Sequence, residues 1–345
     1  MGRAARRGLG AVRRAEWRGL GAAGRAEWRG ALAATGALGA VGSSFAVLDV
    51  LGDYPASGGQ ALRYAAGALL LAAIAGRRLV RPTRRQLVRL ALLAATGLAA
   101  FNLLVLAAER SMDPGGVGVV VGAVPVLLAI AGPLQERRPI DARVLLAAIV
   151  VAAGAAVVQG AGGHTTAPGL AAALGALACE AAFSLLAAPL LPRLGALGVS
   201  TWAAALAAPQ LLVVSALTEH PTLPTAHEAL GLAWLALAVT AGGFVLWYTA
   251  VATLGVGRAG LFSGVLPVSA LLCSAALGGS AITASRLAGV LAVAAGISFG
   301  VRRSQPTAQP SAPSASNART TSGSNCVPAP VRISPAACSQ VNESR

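Results

Sequence analysis

Ten apolar segments, each about 20 residues long, follow one another between residues 31 and 301. A helix needs about that length to cross a bilayer, where only helices and closed barrels satisfy every backbone polar group. The segments are residues 31–50, 58–76, 87–107, 115–134, 143–160, 168–188, 198–217, 228–252, 257–277 and 284–301. Only 11% of the residues are charged, against about a quarter in soluble proteins. The sequence therefore predicts an all-α integral membrane protein.

The distribution of arginine predicts the orientation of these segments. All 27 basic residues are Arg, and the formal net charge is +15. Leaving aside Arg63 and three Arg near the C-terminus, 21 lie on one side of the predicted spans and only Arg110 and Arg286 on the other. Positive residues collect in cytoplasmic loops. The pattern predicts ten spans in the plasma (inner) membrane with both termini in the cytoplasm, and it assigns the basic charge to topology rather than to nucleic acid.

A nine-residue pattern, GxxxGxxPV, occurs twice, at residues 118–126 and 260–268. The copies are 142 positions apart, and residues 118–154 and 260–296 share 11 identities in 37 ungapped positions. Spans four and nine carry the two copies, so each repeat contains five helices, and an odd number reverses the orientation of the second repeat. Inverted repeats with a central site are typical of secondary transporters. We therefore predict ten transmembrane helices as two inverted five-helix repeats.

The predicted organisation has four parts. Residues 1–30 hold eight Arg and form a basic cytoplasmic segment, either a topological anchor or an arm that binds anionic lipid. Residues 31–160 and 161–301 are the two five-helix repeats. Residues 302–345, rich in Ser, Pro, Ala and Thr, are predicted to be a disordered cytoplasmic tail.

Several short motifs between residues 30 and 301 resemble those of the EamA-like family of the drug/metabolite transporter superfamily. The matching stretches are Gly42-Ser-Ser-Phe45, Tyr54-Pro55 with Leu62-Arg63-Tyr64, and Leu254-Gly255 through Leu266-Pro267-Val268 with Leu277-Gly278. The family's Leu-Gly-Glu is replaced by Leu134-Gln135-Glu136 and by Leu277-Gly278-Gly279, at helix ends where the change concerns capping. The resemblance implies two EamA-type repeats that export or exchange a small metabolite or drug, driven by an ion gradient.

Glu180 is the sharpest candidate for a functional side chain, because it lies near the middle of the sixth predicted span. A carboxylate in hydrocarbon is costly unless it is paired or faces a cavity, and such residues are commonly functional. Apolar surroundings disfavour the charged form, so Glu180 could bind and release a proton or meet a cationic substrate group. The alternative is a protonated Glu that is hydrogen-bonded within the bundle and has a structural role.

Other polar side chains in the spans are weaker candidates for the substrate or proton pathway. Ser43 and Ser44 lie in the first span, and Asn102 shares a helix face with Glu109 in the third. Arg63 either holds an anionic substrate group, or extends to the interface, or pairs with Asp49 or Asp53. The larger aromatic residues are predicted to be interface or packing residues rather than a substrate cage: Trp202, Trp234, Trp247 and Tyr248.

The repeated motif has separate interpretations for its glycines and its prolines. Small residues four apart let helix backbones approach closely, which predicts packing roles for Gly118, Gly122, Gly260 and Gly264. Pro125 and Pro267 each remove a backbone hydrogen bond deep in the membrane. Each proline is therefore a hinge or a backbone ligand, or else a kink without gating.

The residue patterns point to a transporter that uses no cofactor and no metal. The formal match to GxGxxG at residues 255–260 joins two membrane helices with no preceding strand, so it is not a dinucleotide site. The leading hypothesis is a secondary active transporter, a proton-coupled exporter of amino-acid-like metabolites or drugs. The alternatives are a membrane structural or interaction protein and a membrane-embedded lipid-modifying enzyme. The expected partners are a small-molecule substrate and the lipid bilayer, and a homodimer is left open.

Overall fold

The computed structural model describes residues 24–44, 47, 51–52, 54–160, 164–220, 222–276 and 282–301. Within these ranges the chain is helical and contains no strand, only an isolated bridge between Met112 and Thr165. The first-repeat helices are α1 (24–42), α2 (Ala56–Ala75), α3 (Arg84–Leu93), α4 (Phe101–Glu109), α5 (Pro114–Val121), α6 (Val124–Gln135) and α7 (Ala142–Gln159). The second-repeat helices are α8 (Ala167–Ala187), α9 (Leu191–Thr218), α10 (Ala226–Trp234), α11 (Phe244–Leu254), α12 (Val256–Gly260), α13 (Val265–Ala276) and α14 (Ala284–Val301).

Within the described ranges, eight stretches of helix are long and apolar enough to cross a membrane. One of them, Ala167–Thr218, has 52 residues and changes direction at Gly195, whose backbone angles (φ 69°, ψ 168°) are not helical. The first helix is already formed at residue 24, so it starts earlier than the predicted span of 31–50. The all-helical membrane class is confirmed for the described residues, whereas the count of ten spans and their inverted arrangement stay predictions.

The polar residues between the apolar segments explain where several helices begin. Thr83 and Thr225 accept hydrogen bonds from the backbone nitrogens of Gln86 and Glu228, whose side chains bond back to the two threonines. Such capping boxes satisfy N–H groups that have no partner within the helix. Helix starts are therefore set by local sequence, in agreement with the predicted loops. Some of the residues singled out in the sequence lie outside the described residues: 302–345, most of 1–30, Phe45, Asp49, Asp53 and the stretch from Leu277 to Gly279.

Both copies of GxxxGxxPV interrupt their helices, and the two breaks overlap at the equivalent Gly122 and Gly264. In the first copy α5 ends at Val121, a turn follows at residues 122–123, and α6 starts at Val124. In the second copy a 3-10 segment, Leu261–Gly264, separates α12 from α13. Pro125 and Pro267 lie within three residues of the restart, where the missing proline N–H is least disruptive.

Two π-helical segments are also equivalent between the repeats, and the sequence analysis did not predict them. The segment π1 covers Ala94–Ala100 between α3 and α4, and π2 covers Leu235–Gly243 between α10 and α11. Adding 142 to the residue numbers of π1 gives 236–242, which lies within π2. The segment π1 packs on α8 and α9, whereas π2 packs on α2, so each contacts the other repeat.

The last helices of the two repeats, α7 and α14, cross at close range and make reciprocal contacts. A Cβ atom added at Gly154 would lie 2.8 Å from the carbonyl oxygen of Gly289. One added at Gly296 would lie 3.1 Å from the carbonyl oxygen of Ala147. Adding 142 to 147 and 154 gives 289 and 296, so the same contact occurs twice with the helices exchanged. Small residues allow this approach of the two backbones.

Candidate functional site

Arg63 points into the bundle and is held by side chains from both repeats. Its Nε donates a 2.8 Å hydrogen bond to Thr240 Oγ1 in π2, and Nη1 donates a 3.0 Å bond to Gln60 Oε1. The guanidinium carbon lies 5.2 Å from the centroid of the Tyr64 ring, a cation–π distance. These bonds use two of the five guanidinium N–H groups, so a half-buried edge is available to an anionic group.

Asn102 lies beside Tyr64 in the same cluster. Its Nδ2 donates to the Tyr64 hydroxyl at 3.2 Å and to the carbonyl oxygen of Leu98 at 2.6 Å. Leu98 belongs to π1 and is the equivalent of Thr240 in π2, since the two positions differ by 142. Each π segment therefore supplies, at an equivalent position, an acceptor for one of the predicted pathway side chains.

Five aromatic residues form a continuous buried cluster next to Arg63. The chain has only 5 Trp, 3 Tyr and 6 Phe, so this grouping is not a result of composition. Ring centroids are 6.1 Å apart for Tyr64–Phe244, 5.2 Å for Phe183–Phe244 and 5.0 Å for Phe183–Tyr248. Trp247 joins the cluster through its Nε1, which donates to Ser184 Oγ at 3.1 Å. Trp247 and Tyr248 are thus packing residues, one of the roles that the sequence analysis gave them.

Glu180 lies on α8 at the other end of this cluster from Arg63. It shares a helix face with Phe183 and Ser184, which contact Tyr248 and Trp247 of α11. Thirteen residues separate it from the start of α8, which corresponds to about 20 Å along the helix. The residue is half-buried, and no ion pair to it occurs among the described residues. Glu180 and Arg63 are therefore two ionisable side chains at opposite ends of one aromatic cluster.

The remaining predicted pathway residues have local partners instead. Ser43 and Ser44 donate to carbonyl oxygens of α1 itself, those of Ala40 and Val41, each at 2.6 Å. Ser43 Oγ also accepts a 3.2 Å bond from Trp234 Nε1. In the described part of the chain neither serine is hydrogen-bonded to Arg63 or Glu180.

Two of the motif glycines, Gly118 and Gly264, pack against the last helices of the repeats, and Gly260 packs against α6. A Cβ atom at Gly118 would overlap Gln159, and one at Gly264 would overlap Val151 and Val293. Gly260 faces Leu128, and a Cβ at Gly122 would lie 2.7 Å from the carbonyl oxygen of Gly118. Pro125 and Pro267 are buried. These contacts agree with a packing role for the glycines, while a hinge role for the prolines stays a prediction.

A second polar cluster joins the repeats at one end of the bundle. We call this end the Arg-poor face; it carries the loops at residues 54–55, 110–113, 164–166 and 222–225. Glu219 accepts from the backbone nitrogens of Ser57 at 2.8 Å and Gly58 at 2.9 Å, and from Ser215 Oγ at 2.8 Å. Burial alone raises the pKa of the Glu219 carboxyl, but these hydrogen bonds outweigh it and hold the pKa below its ordinary value. We call this set of contacts the Glu219 clasp.

Two depressions in the described surface also lie on the Arg-poor face. One of about 770 Å³ borders the Glu219 clasp, and another of about 600 Å³ contains Glu109, Asp113 and His164. Asp113 accepts a 2.7 Å bond from the backbone nitrogen of His164. No group of three or more His, Cys, Asp or Glu side chains within the described ranges could hold a metal ion.

A family model for the EamA-like transporter family matches the chain twice, over residues 28–159 and 167–301. The chain belongs to the EamA-like transporter family. The two matches also confirm that the chain contains two copies of one unit, as the repeated motif indicated. The boundaries agree with α1–α7 for the first copy and α8–α14 for the second.

Two curated relatives carry transporter names. "Uncharacterized transporter YetK" of Bacillus subtilis is 27% identical over 63% of this chain and 69% of its own length. The "Probable terminal-alkyne amino-acid exporter" of Streptantibioticus cattleyicolor is 30% identical over 67% of this chain and 79% of its own length. A solved crystal structure is similar with a TM-score of 0.70 at 19% identity, over 78% of this chain and 95% of that one, which shows the fold.

Proposed function

We propose that this EamA-like transporter is a proton-coupled exporter of small amphiphilic molecules, amino-acid-like metabolites or drugs, across the plasma membrane. The observation that carries the proposal is the half-buried Glu180 carboxylate, deep in α8 and without an ion-pair partner in the described residues. Ionisable side chains inside a membrane commonly mark substrate pathways or proton relays. The name of the Streptantibioticus relative, an amino-acid exporter, supports the substrate class.

Arg63 and Glu180 make the two ends of the proposed site suited to groups of opposite charge. The free edge of the Arg63 guanidinium suits a carboxylate, and Glu180 suits an ammonium group or a proton. Asn102 and Thr240 orient the polar end at Arg63 through their bonds to Tyr64 and Arg63. An amino acid would bind with its carboxylate toward the Arg-poor face. Arg63, the proposed partner of that carboxylate, lies only seven residues from the start of α2.

The proposed architecture is ten transmembrane helices in two inverted repeats, with both termini cytoplasmic. Three observations support it: the reciprocal crossing of α7 and α14, the equivalent π segments, and the break at Gly195 within the 52-residue candidate span. The motif interruptions at residues 122–123 and 261–264 overlap at one equivalent position, that of Gly122 and Gly264. Pro125 and Pro267 next to them are the proposed hinges, with Gly118, Gly122, Gly260 and Gly264 as the packing surfaces.

The test is transport by purified protein in lipid vesicles, measured with a panel of radiolabelled amino acids, with and without a pH gradient. We expect gradient-driven flux for the wild type and its loss in Glu180→Gln. Glu109→Gln is the matched control, because Glu109 is exposed at the end of α4. Flux that survives Glu180→Gln and ignores the gradient would overturn proton coupling through Glu180.

A further inference from the structure

The hydroxyl of Tyr248 is the one polar group in the aromatic cluster that is both fully buried and without a partner. Tyr248 is 0% exposed, and its hydroxyl oxygen makes no hydrogen bond within the described part of the chain. A buried hydroxyl without a partner is unfavourable and usually has a structural or chemical reason. Tyr64, by contrast, accepts a hydrogen bond from Asn102.

The Tyr248 ring is fixed in place, so its hydroxyl has a fixed position. Phe183 stacks on it at 5.0 Å with an interplanar angle of 30°, and Phe244 contacts it at 6.4 Å with an angle of 55°. The neighbouring Trp247 is tied to Ser184 on α8. A ring held on these sides cannot turn its hydroxyl toward a distant acceptor.

Glu180 is the acidic side chain close to this hydroxyl. It precedes Phe183 by three residues and Ser184 by four, so the three share one face of α8, and that face contacts α11. The carboxylate of Glu180 is also near enough to Tyr248 to act on it electrostatically. The buried hydroxyl and the carboxylate therefore face the same space between α8 and α11.

Other ionisable groups around this pair are few. Cys179 lies beside Glu180 on α8, and Tyr64 with its neighbour Arg63 faces the cluster from α2. Among the described residues, the helices packed on α8 contribute charged side chains only toward its ends, namely Arg84, Arg85, Arg89 and Glu109. In the aromatic cluster, Tyr248 is thus the buried donor that no other described group uses.

We propose that Tyr248 is a positioning residue that stabilises the deprotonated state of Glu180 by donating a hydrogen bond to its carboxylate. The inference rests on the proposed function, in which Glu180 alternates between a protonated and a charged form. Hydrogen bonds to an ionised oxygen are about twice as strong as neutral ones, so the hydroxyl favours the charged form selectively. The hydroxyl makes no hydrogen bond in the described structure, so it is free to donate to Glu180 when that side chain is charged.

The test follows the protonation of Glu180 directly, without any substrate. Infrared difference spectra of the full chain in lipid nanodiscs, recorded across pH, contain a carboxylic-acid C=O band that Glu180→Gln removes. We expect Tyr248→Phe to move the midpoint of this band to higher pH, by about one unit. Ser200→Ala is the matched control, because Ser200 is another fully buried, unpartnered hydroxyl, on α9. It should leave the midpoint unchanged.

A second measurement follows Tyr248 in the wild type, and Tyr248→Phe is needed only to assign its band. Deprotonation of Glu180 should shift the phenolic C–O band that Tyr248→Phe removes. Two results would overturn the role of Tyr248. One is a Glu180 titration midpoint that is the same in Tyr248→Phe as in the wild type, and the other is a phenolic band that does not shift when Glu180 is deprotonated. These results are distinct from a failure of the proposed function. Substrate flux can be insensitive to Glu180→Gln while the carboxylic-acid band of Glu180 and the phenolic band of Tyr248 still shift together.

Discussion

Single side chains join the two repeats at several points, and Thr240 is the one most directly tied to the proposed site. It is fully buried, and it accepts the hydrogen bond of Arg63 Nε from across the repeat boundary. Gly67 makes room for it, since a Cβ there would lie 2.7 Å from Thr240 Cγ2. A charged group at this depth needs such partners, because an unpaired donor inside the membrane is costly.

Replacing Thr240 by Val should therefore destabilise the protein. The change keeps the side-chain shape but removes the acceptor of Arg63 Nε, which we expect to cost about 1–3 kcal/mol. Thermal unfolding in detergent would measure it. The matched control is Thr249→Val, because the Thr249 hydroxyl bonds only to Val245 in its own helix. Equal unfolding midpoints for the two variants would contradict the importance of the Thr240–Arg63 bond.

The Glu219 clasp predicts a pH-dependent contribution to stability. The folded pKa of Glu219 lies below its ordinary value, so the stabilisation is present above the ordinary carboxyl pKa and is lost as pH falls through the folded value. At neutral pH, Glu219→Gln should lower stability by about 1–3 kcal/mol, because charged acceptors at a helix start are strong ones. Thermal unfolding at pH 7 and at low pH measures the difference between wild type and variant.

The control for the clasp is Glu136→Gln. Glu136 pairs with Arg138 at 3.6 Å on the exposed surface, where ion pairs contribute little. We expect the Glu219→Gln difference to shrink at low pH and the Glu136→Gln difference to stay small throughout. A Glu219→Gln effect that is the same at both pH values would rule out charge as its origin.

At the scale of helices, interruptions occur in matched pairs. The segments π1 and π2 each contain a wider turn, and the breaks in the two motif helices overlap at the equivalent Gly122 and Gly264. Segments of π-helix are rare and are often found at functional sites. Here each one supplies an acceptor to a side chain of the Arg63 cluster, so the wider turns have a direct structural use.

The crossing of α7 and α14 predicts a paired effect of substitution. Gly154→Ala and Gly296→Ala each place a Cβ against the backbone of the partner helix, and overpacking of this kind costs about 1–3 kcal/mol. Gly39→Ala in α1 is the control, because nothing lies within 4 Å of its added Cβ. In detergent, the thermal unfolding midpoints of Gly154→Ala and Gly296→Ala should lie below that of the wild type. The midpoint of Gly39→Ala should equal or exceed it. Similar midpoints for all three would contradict the close crossing.

For the whole molecule, the helical type of the apolar segments was predictable because bilayer thickness fixes the length of such a segment. The segments at 58–76 and 198–217, which contain Arg63 and Pro209, are helical as predicted. The π segments were not predictable, since their sequences are as apolar as those of their neighbours. The Arg63–Thr240 and Phe183–Tyr248 contacts were missed because they join residues that are distant in sequence, and no local pattern encodes such pairs.

Inverted topology makes a prediction for equivalent loop positions. Ile140 and Ile282 are exposed, differ by 142 in number, and precede the last helix of each repeat. In a chain whose native cysteines have been replaced, Ile140→Cys should react with a membrane-impermeant reagent only from the cytoplasmic side, and Ile282→Cys only from outside. Labelling of intact cells and inverted vesicles distinguishes the two sides. Reaction of both from the same side would rule out inversion.

The glycine crossing of α7 and α14 has a consequence for assembly. The contact of Gly154 with Gly289 is repeated by Gly296 with Ala147, so one helix surface meets a copy of itself. Such a surface is self-complementary, as in an isologous interface between identical subunits. It needs no covalent link between the two copies, and the same crossing would therefore hold two separate five-helix chains together as an antiparallel pair.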